Sequence, residues 1–271
     1  MTTPIPQIRD LRRQVHKSEA IYGPIPWISK KFIHPYVSIL FTRLLLLAGL
    51  TGNQATFVMM LTAFAGAALF FVGGTLGFVA GSLAMILSWI LDHSDGEVRR
   101  FRGEDSSLNV YMDRFTHRVS YPLVHIGIGF ALWRATRDPS LLLFGCAVAY
   151  VYQLGVAHHL DKTLIQNERG GVDLAALRSL RLSLAARHPM LGQPLRILIG
   201  GYSHFIQHNV FFSLMVLTSL LTWVKPFYLF YGSVLILNWV LGVTLDFTMA
   251  FRPGAQKGSE SPDSNIEIQM H

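Results

Sequence analysis

Four side chains in one stretch of the chain have the types and spacing for work on a charged substrate. Residues 91–118 read LDHSDGEVRRFRGEDSSLNVYMDRFTHR. Asp92 and Asp95 are three apart, and Asp113 and His117 are four apart, so each pair shares one face of a helix. The segment reads as a helical hairpin turning at RGEDSS, with Asp105, Ser106 or Ser107 capping the second helix. Counted from Glu104, Asp95 and Asp113 lie nine residues away, Asp92 twelve and His117 thirteen. At about 1.5 Å per residue this sets all four at one depth, roughly 10–16 Å inside the turn.

Three carboxylates at one depth repel one another. Divalent cations relieve that repulsion, and oxygen ligands favour Mg²⁺, Mn²⁺ or Ca²⁺. Gly96 follows Asp95, where a missing side chain lets a ligand approach the backbone. Arg99 and Arg100 lie one turn nearer the hairpin end, within reach of a phosphate. Carboxylates, metal and arginines together point to chemistry on a phosphate or pyrophosphate. The competing reading is a salt-bridged helix pair, Asp95 with Arg99 and Asp113 with Arg114, Arg118 or His117. The matched depth of four groups favours the metal–phosphate site.

The elements that position these groups are apolar. Of 271 residues, 51% are hydrophobic and 14% charged, well below the roughly 25% charged of an ordinary soluble domain. This excludes a disordered chain, and the single Cys146 excludes an internal disulfide or a multi-cysteine metal site. The expected fold is an all-α membrane protein of six transmembrane helices, near 54–73, 76–99, 106–134, 139–160, 195–223 and 227–250, each about 20 residues or longer. Residues 1–50 read as interfacial, with an amphipathic helix over 8–20 and a further helix over 28–48 whose Lys30, Lys31, His34 and Arg43 favour the surface over a span. The polar tail 251–271 reads as disordered.

The net charge of +7 is placed asymmetrically. Arg99, Arg100 and Arg102, Lys162 to Arg196, and the N-terminal Arg9 to Arg43 fall on one side. The opposite loops hold only Arg134, Arg137 and Lys225. That bias puts both termini and the acidic pocket in the cytoplasm of an inner-membrane protein, and leaves no need for a nucleic-acid partner. The 161–194 segment reads as cytoplasmic and amphipathic, its Arg178, Arg181, Arg187 and Arg196 either anchoring it or holding an anion.

Other polar residues lie within the apolar blocks. His204 and His208, with Gln207 and Asn209, Asn238, Asp246, His158 and His159 read as lining a polar cavity, bonding helix to helix, or, for the two histidines of the fifth span, binding a metal. His125 reads as a hydrogen-bonded structural histidine, with an extension of the cavity as the other reading.

With these residues in place, the sequence resembles the CDP-alcohol phosphotransferase family, whose signature is D-x2-D-G-x2-A-R-x8-G-x3-D-x3-D. Asp92, Asp95, Gly96, Arg100 and Asp113 fall on it with matching spacing. Arg99 stands in place of the Ala, Asn109 in place of the second Gly and His117 in place of the last Asp. The stretch TGNQAT at 51–56 is similar to the family's T-P-N-x-x-T, with Gly52 for Pro.

The resemblance implies a six-span transferase of lipid metabolism that moves a substituted phosphate from a CDP-linked donor to an alcohol acceptor and releases CMP. It implies two Mg²⁺ or Mn²⁺ ions on Asp92, Asp95, Asp113 and His117, with Asn53, Gly96, Arg100 and Asn109 around the nucleotide. His117 replaces the carboxylate that takes the acceptor's proton, so it is the expected base, with a ligand role as the other reading. The donor it implies first is CDP-diacylglycerol. A soluble CDP-alcohol, as in the inositol-phosphate branch, is the alternative, and the family leaves room for a homodimer. The rival of another class is a non-catalytic divalent-cation-binding protein or transporter.

Overall fold

The computed structural model describes residues 6–15, 34–104, 106–168 and 208–250, with side chains over 6–15, 36–104, 106–158 and 210–244. The described residues are helical throughout. The elements are α1 (Ile8–Val15), α2 (His34–Leu47), α3 (Gly52–Val72), α4 (Gly74–Arg102), α5 (Ser107–Thr136), α6 (Pro139–Glu168), α7 (His208–Leu220) and α8 (Val224–Ala250).

Local chemistry sets the boundaries. Thr51 and Gln54 form a reciprocal capping box at the start of α3, at 3.3 and 2.9 Å. Gly73 at φ 70° separates α3 from α4, and Gly103 at φ 65° ends α4 in the left-handed conformation that glycine adopts without strain. Of the three candidate caps for α5, Ser106 takes the role, accepting from the Asn109 N–H at 3.4 Å. Arg137 ends α5, and Asp138 then accepts from the Ser140 N–H at 3.0 Å to start α6.

Four helices are long and apolar enough to cross a membrane: Gly52–Val72, Gly74–Arg102, Pro139–His158 and Val224–Thr244. The protein is thus an all-helical membrane protein over its described residues. α5 has the length, 30 residues, but carries Asp113, Arg114, His117 and Arg118 and is not among these four. Only Val210–Leu220 of the expected fifth span is described as apolar helix. The polar segment expected from 161 begins as a continuation of α6 to Glu168. Arg178, Arg181, Arg187, Arg196, His204, Gln207 and the tail lie outside the described residues, as do the side chains of His159, His208, Asn209 and Asp246.

Two cores hold the helices together. Toward the Gly73 turn, Phe70, Phe78, Ile128, Phe211, Phe212, Tyr228 and Tyr231 pack from α3, α4, α5, α7 and α8. His125 belongs to this core: it is 1% exposed, lies against Phe211, Tyr228 and Tyr231, and has no hydrogen-bond partner on Nδ1. α5 and α6 approach closely at Gly129 and Gly145; a Cβ on Gly129 would lie 2.7 Å from the Leu141 carbonyl oxygen. The second core joins Leu11 and Val15 to Ile39, Leu46, Met59, Leu91 and Val98. The apolar residues of α1 are therefore covered by the protein's own α2 and α4. Arg12 also stacks over the Tyr36 ring, 4.4 Å from its centroid.

The hairpin of α4 and α5 differs from a packed pair. α5 lies mainly against α3 and α6 and touches α4 sparsely. α3 packs on both. Asp92 of α4 nonetheless meets Asp113 and His117 of α5.

Candidate metal centre

α4 and α5 bring three of the four predicted groups together. His117 Nε2 lies 3.0 Å from an Asp113 carboxylate oxygen and 3.5 Å from one of Asp92. One ligand atom from each of Asp92, Asp113 and His117 falls within 4.8 Å of the others. Their side chains are 22%, 37% and 29% exposed, so a ligand from outside can reach all three. The His117 ring stacks on Tyr121 at 5.3 Å, which fixes its plane.

Asp95 stands apart from that group. It is 3% exposed and accepts a hydrogen bond from the Thr56 hydroxyl of α3. Thr56 in turn accepts from the Asn109 side-chain amide, which also donates to the Gly52 carbonyl at 3.3 Å. Asn109, 1% exposed, thus ties α5 to α3 and steadies the partner of Asp95. Asn53, in the first turn of α3, has a buried side-chain oxygen without a hydrogen-bond partner.

The arginines flank this arrangement. Gly96 lies beneath both: a Cβ there would sit 3.3 Å from an Arg100 Nη and 3.8 Å from an Arg99 Nη. Arg100 Nε donates to the Val15 carbonyl at 2.6 Å and so pins α1 beside the site. The Arg99 stem fills the space where a Cβ on Gly52 would lie, and Arg99 Nε is buried with no hydrogen-bond partner.

The Gly52 N–H donates to Glu104 at 2.7 Å. A proline at 52 could neither make that bond nor clear Arg99. Gly52 and Arg99 are therefore coupled in space. Gly52→Ala is expected to cost about 1–3 kcal/mol by overpacking. Adding Arg99→Ala should recover most of the loss, read as thermal midpoints of the two variants in detergent.

Two further polar residues escaped the sequence reading. Glu97 is 5% exposed and faces α2, where it accepts from Ser38 at 2.9 Å and Thr42 at 2.5 Å. Ser94 donates to the Ser38 carbonyl at 3.0 Å on the same face. The only sequence signal was Ser38 and Thr42 at i,i+4 in an otherwise apolar helix. Thr56 was legible as the last Thr of TGNQAT.

A cavity of about 620 Å³ adjoins the cluster. Arg114, His117 and Arg118 of α5, Tyr152 and Gly155 of α6, and Asn238 and Trp239 of α8 line it. His117 is the residue that the cavity and the metal-ligand group share. His158 is half-buried near the end of the apolar part of α6 and is not a lining residue.

No protein-family model matches the chain, and no curated protein matches it.

Proposed function

We propose that the protein is an integral membrane transferase of the CDP-alcohol phosphotransferase type. It passes a substituted phosphate, foremost phosphatidyl from CDP-diacylglycerol, to an alcohol and releases CMP. The observation that carries the reading is the position of His117, between two carboxylates on one side and a cavity large enough for a substrate on the other. The two carboxylates suit a hard divalent ion, Mg²⁺ or Mn²⁺.

Asp92 and Asp113 would hold that ion together with the donor's pyrophosphate oxygens, the usual manner for Mg²⁺. When bound, it neutralises the charge that develops on the departing CMP. The remaining work falls to side chains. The acceptor alcohol sits in the cavity with its hydroxyl at His117. His117 takes the hydroxyl proton as the oxygen attacks phosphorus, a P–O bond forms to the acceptor, and the bond to the CMP oxygen breaks. Asp113 orients the imidazole from 3.0 Å and stabilises it once protonated. Arg114 and Arg118 line the cavity beside His117 and supply positive charge to a phosphate-bearing substrate.

In this reading α3 to α8 make six spans. The Lys/Arg bias then places both termini and the cluster on the cytoplasmic side of the inner membrane. A soluble CDP-alcohol donor is the alternative within the same chemistry.

Thermal shift tests the reading: CDP should stabilise the protein only when Mg²⁺ or Mn²⁺ is present. No response to any cytidine nucleotide contradicts it. The cavity has its own test. Gly155 has only Trp239 near its missing side chain, 3.8 Å from where a Cβ would lie. Gly155→Leu should fill acceptor space and raise the acceptor KM by about tenfold or more, equivalent to about 1.4 kcal/mol. Metal-dependent CDP stabilisation should be unchanged.

A further inference from the structure

We propose that the site holds a single divalent ion and that the guanidinium of Arg99 takes the electrostatic place of a second. The inference rests on the metal-dependent reading above and corrects its family-derived expectation of two ions. Among the described residues, the ligand-bearing side chains that gather are Asp92, Asp113 and His117. With His117 as the base, Asp92 and Asp113 of that group are left to hold one ion. A second would draw on Asp95, yet Asp95 is buried and one of its oxygens is taken by Thr56, which Asn109 holds in place.

Charge leads to the same count. Asp92, Asp95 and Asp113 carry three negative charges and Arg99 one positive, so one divalent ion balances these four side chains; Arg100 is common to this chain and the signature and is left out of both sums. Four carboxylates and an alanine, as in the family signature, need two divalent ions to reach the same neutrality. The replacements at 99 and 117 together remove two negative units, the charge of one such ion.

The position of Arg99 suits the role. Its stem is wedged against Gly52, an Nη lies over Gly96, and its charge acts on Asp95 and Asp113 without a direct ion pair to either. Its buried Nε has no acceptor in the protein, and a phosphate oxygen would satisfy it. Unlike a metal ion, this positive charge is covalently fixed and cannot be chelated away.

The test is the number of Mn²⁺ ions bound per full-length chain in detergent, by electron paramagnetic resonance and calorimetry, with Mn²⁺ alone and with Mn²⁺ plus CDP. One ion per chain in both conditions is expected. Two ions in either condition overturn the inference and leave the transferase reading standing; no Mn²⁺ in either overturns both. Arg99→Ala combined with His117→Asp should raise the count from one to two, and Arg99→Lys should keep it at one. A folded double variant that still binds one ion overturns the role given to Arg99. Should the double variant fail to fold, the wild-type count still decides the number.

Discussion

His117→Ala is expected to reduce transfer by about 10²–10⁴-fold, the range in which a positioned general base contributes, while Mn²⁺ and CDP still bind near wild-type levels. The expectation follows from where the imidazole sits. It is half-exposed on the cavity wall, its plane is fixed by Tyr121, and Asp113 holds it at 3.0 Å. These are the features of a group oriented to accept a proton from something in the cavity. CMP release and Mn²⁺ titration on the same variant check it. If Mn²⁺ binding falls together with turnover, His117 is a ligand rather than the base. Alanine there removes a ring stacked on Tyr121 at the edge of the first core and leaves the rest of both cores in place, so a folded variant is expected.

Asp92→Asn is expected to abolish the Mn²⁺-dependent stabilisation by CDP and to lower turnover by at least about 10²–10³-fold, the scale on which preorganised stabilisation of developing charge is lost. Asp92 is a cleaner probe than Asp113, because Asp113 also orients His117 through the shorter contact. The sign of the stability change separates this account from a purely structural one. Asp92 belongs to a group of like charges, so neutralising it in the metal-free protein relieves repulsion. The metal-free thermal midpoint should stay level or rise. A fall of several degrees in the metal-free protein would mean that Asp92 is a structural ion-pair partner of His117.

The parts of the site that the sequence revealed are those set by helical periodicity within one segment. Asp113 and His117 at i,i+4 lie close to one line on α5, and the hairpin arithmetic placed Asp92 at their depth. The same arithmetic grouped Asp95 with them too closely. Three residues on a 3.6-residue helix leave about 60° between Asp92 and Asp95, enough to turn Asp95 from that group toward Thr56 of α3. Glu97 is turned further, toward Ser38 and Thr42 of α2. Such partners lie more than thirty residues away in sequence, where periodicity carries no information.

The elements follow a similar division. Capping residues and glycines marked the ends of α3, α4 and α5 in the sequence. The sparse contact of α4 with α5 did not show, because it depends on α3 packing against both. α1 carried an apolar face that fits a membrane surface equally well. Amphipathicity shows that a face will be covered, and here Ile39, Leu46 and Val98 help cover it. The coupling of Gly52 to Arg99 was present as two separate oddities and acquired a cause only when the two residues proved to be in contact.

The most direct test of the central claim is CMP release by the purified full-length protein, with CDP-diacylglycerol and soluble CDP-alcohols as donors, a set of polar alcohols and alcohol phosphates as acceptors, and Mg²⁺ or Mn²⁺ added or chelated. The account predicts acceptor-dependent CMP release from at least one donor, lost on chelation and lost in His117→Ala. Mn²⁺ binding at the cluster with no CMP released from any donor would contradict it, and would assign the acidic pocket to cation binding alone.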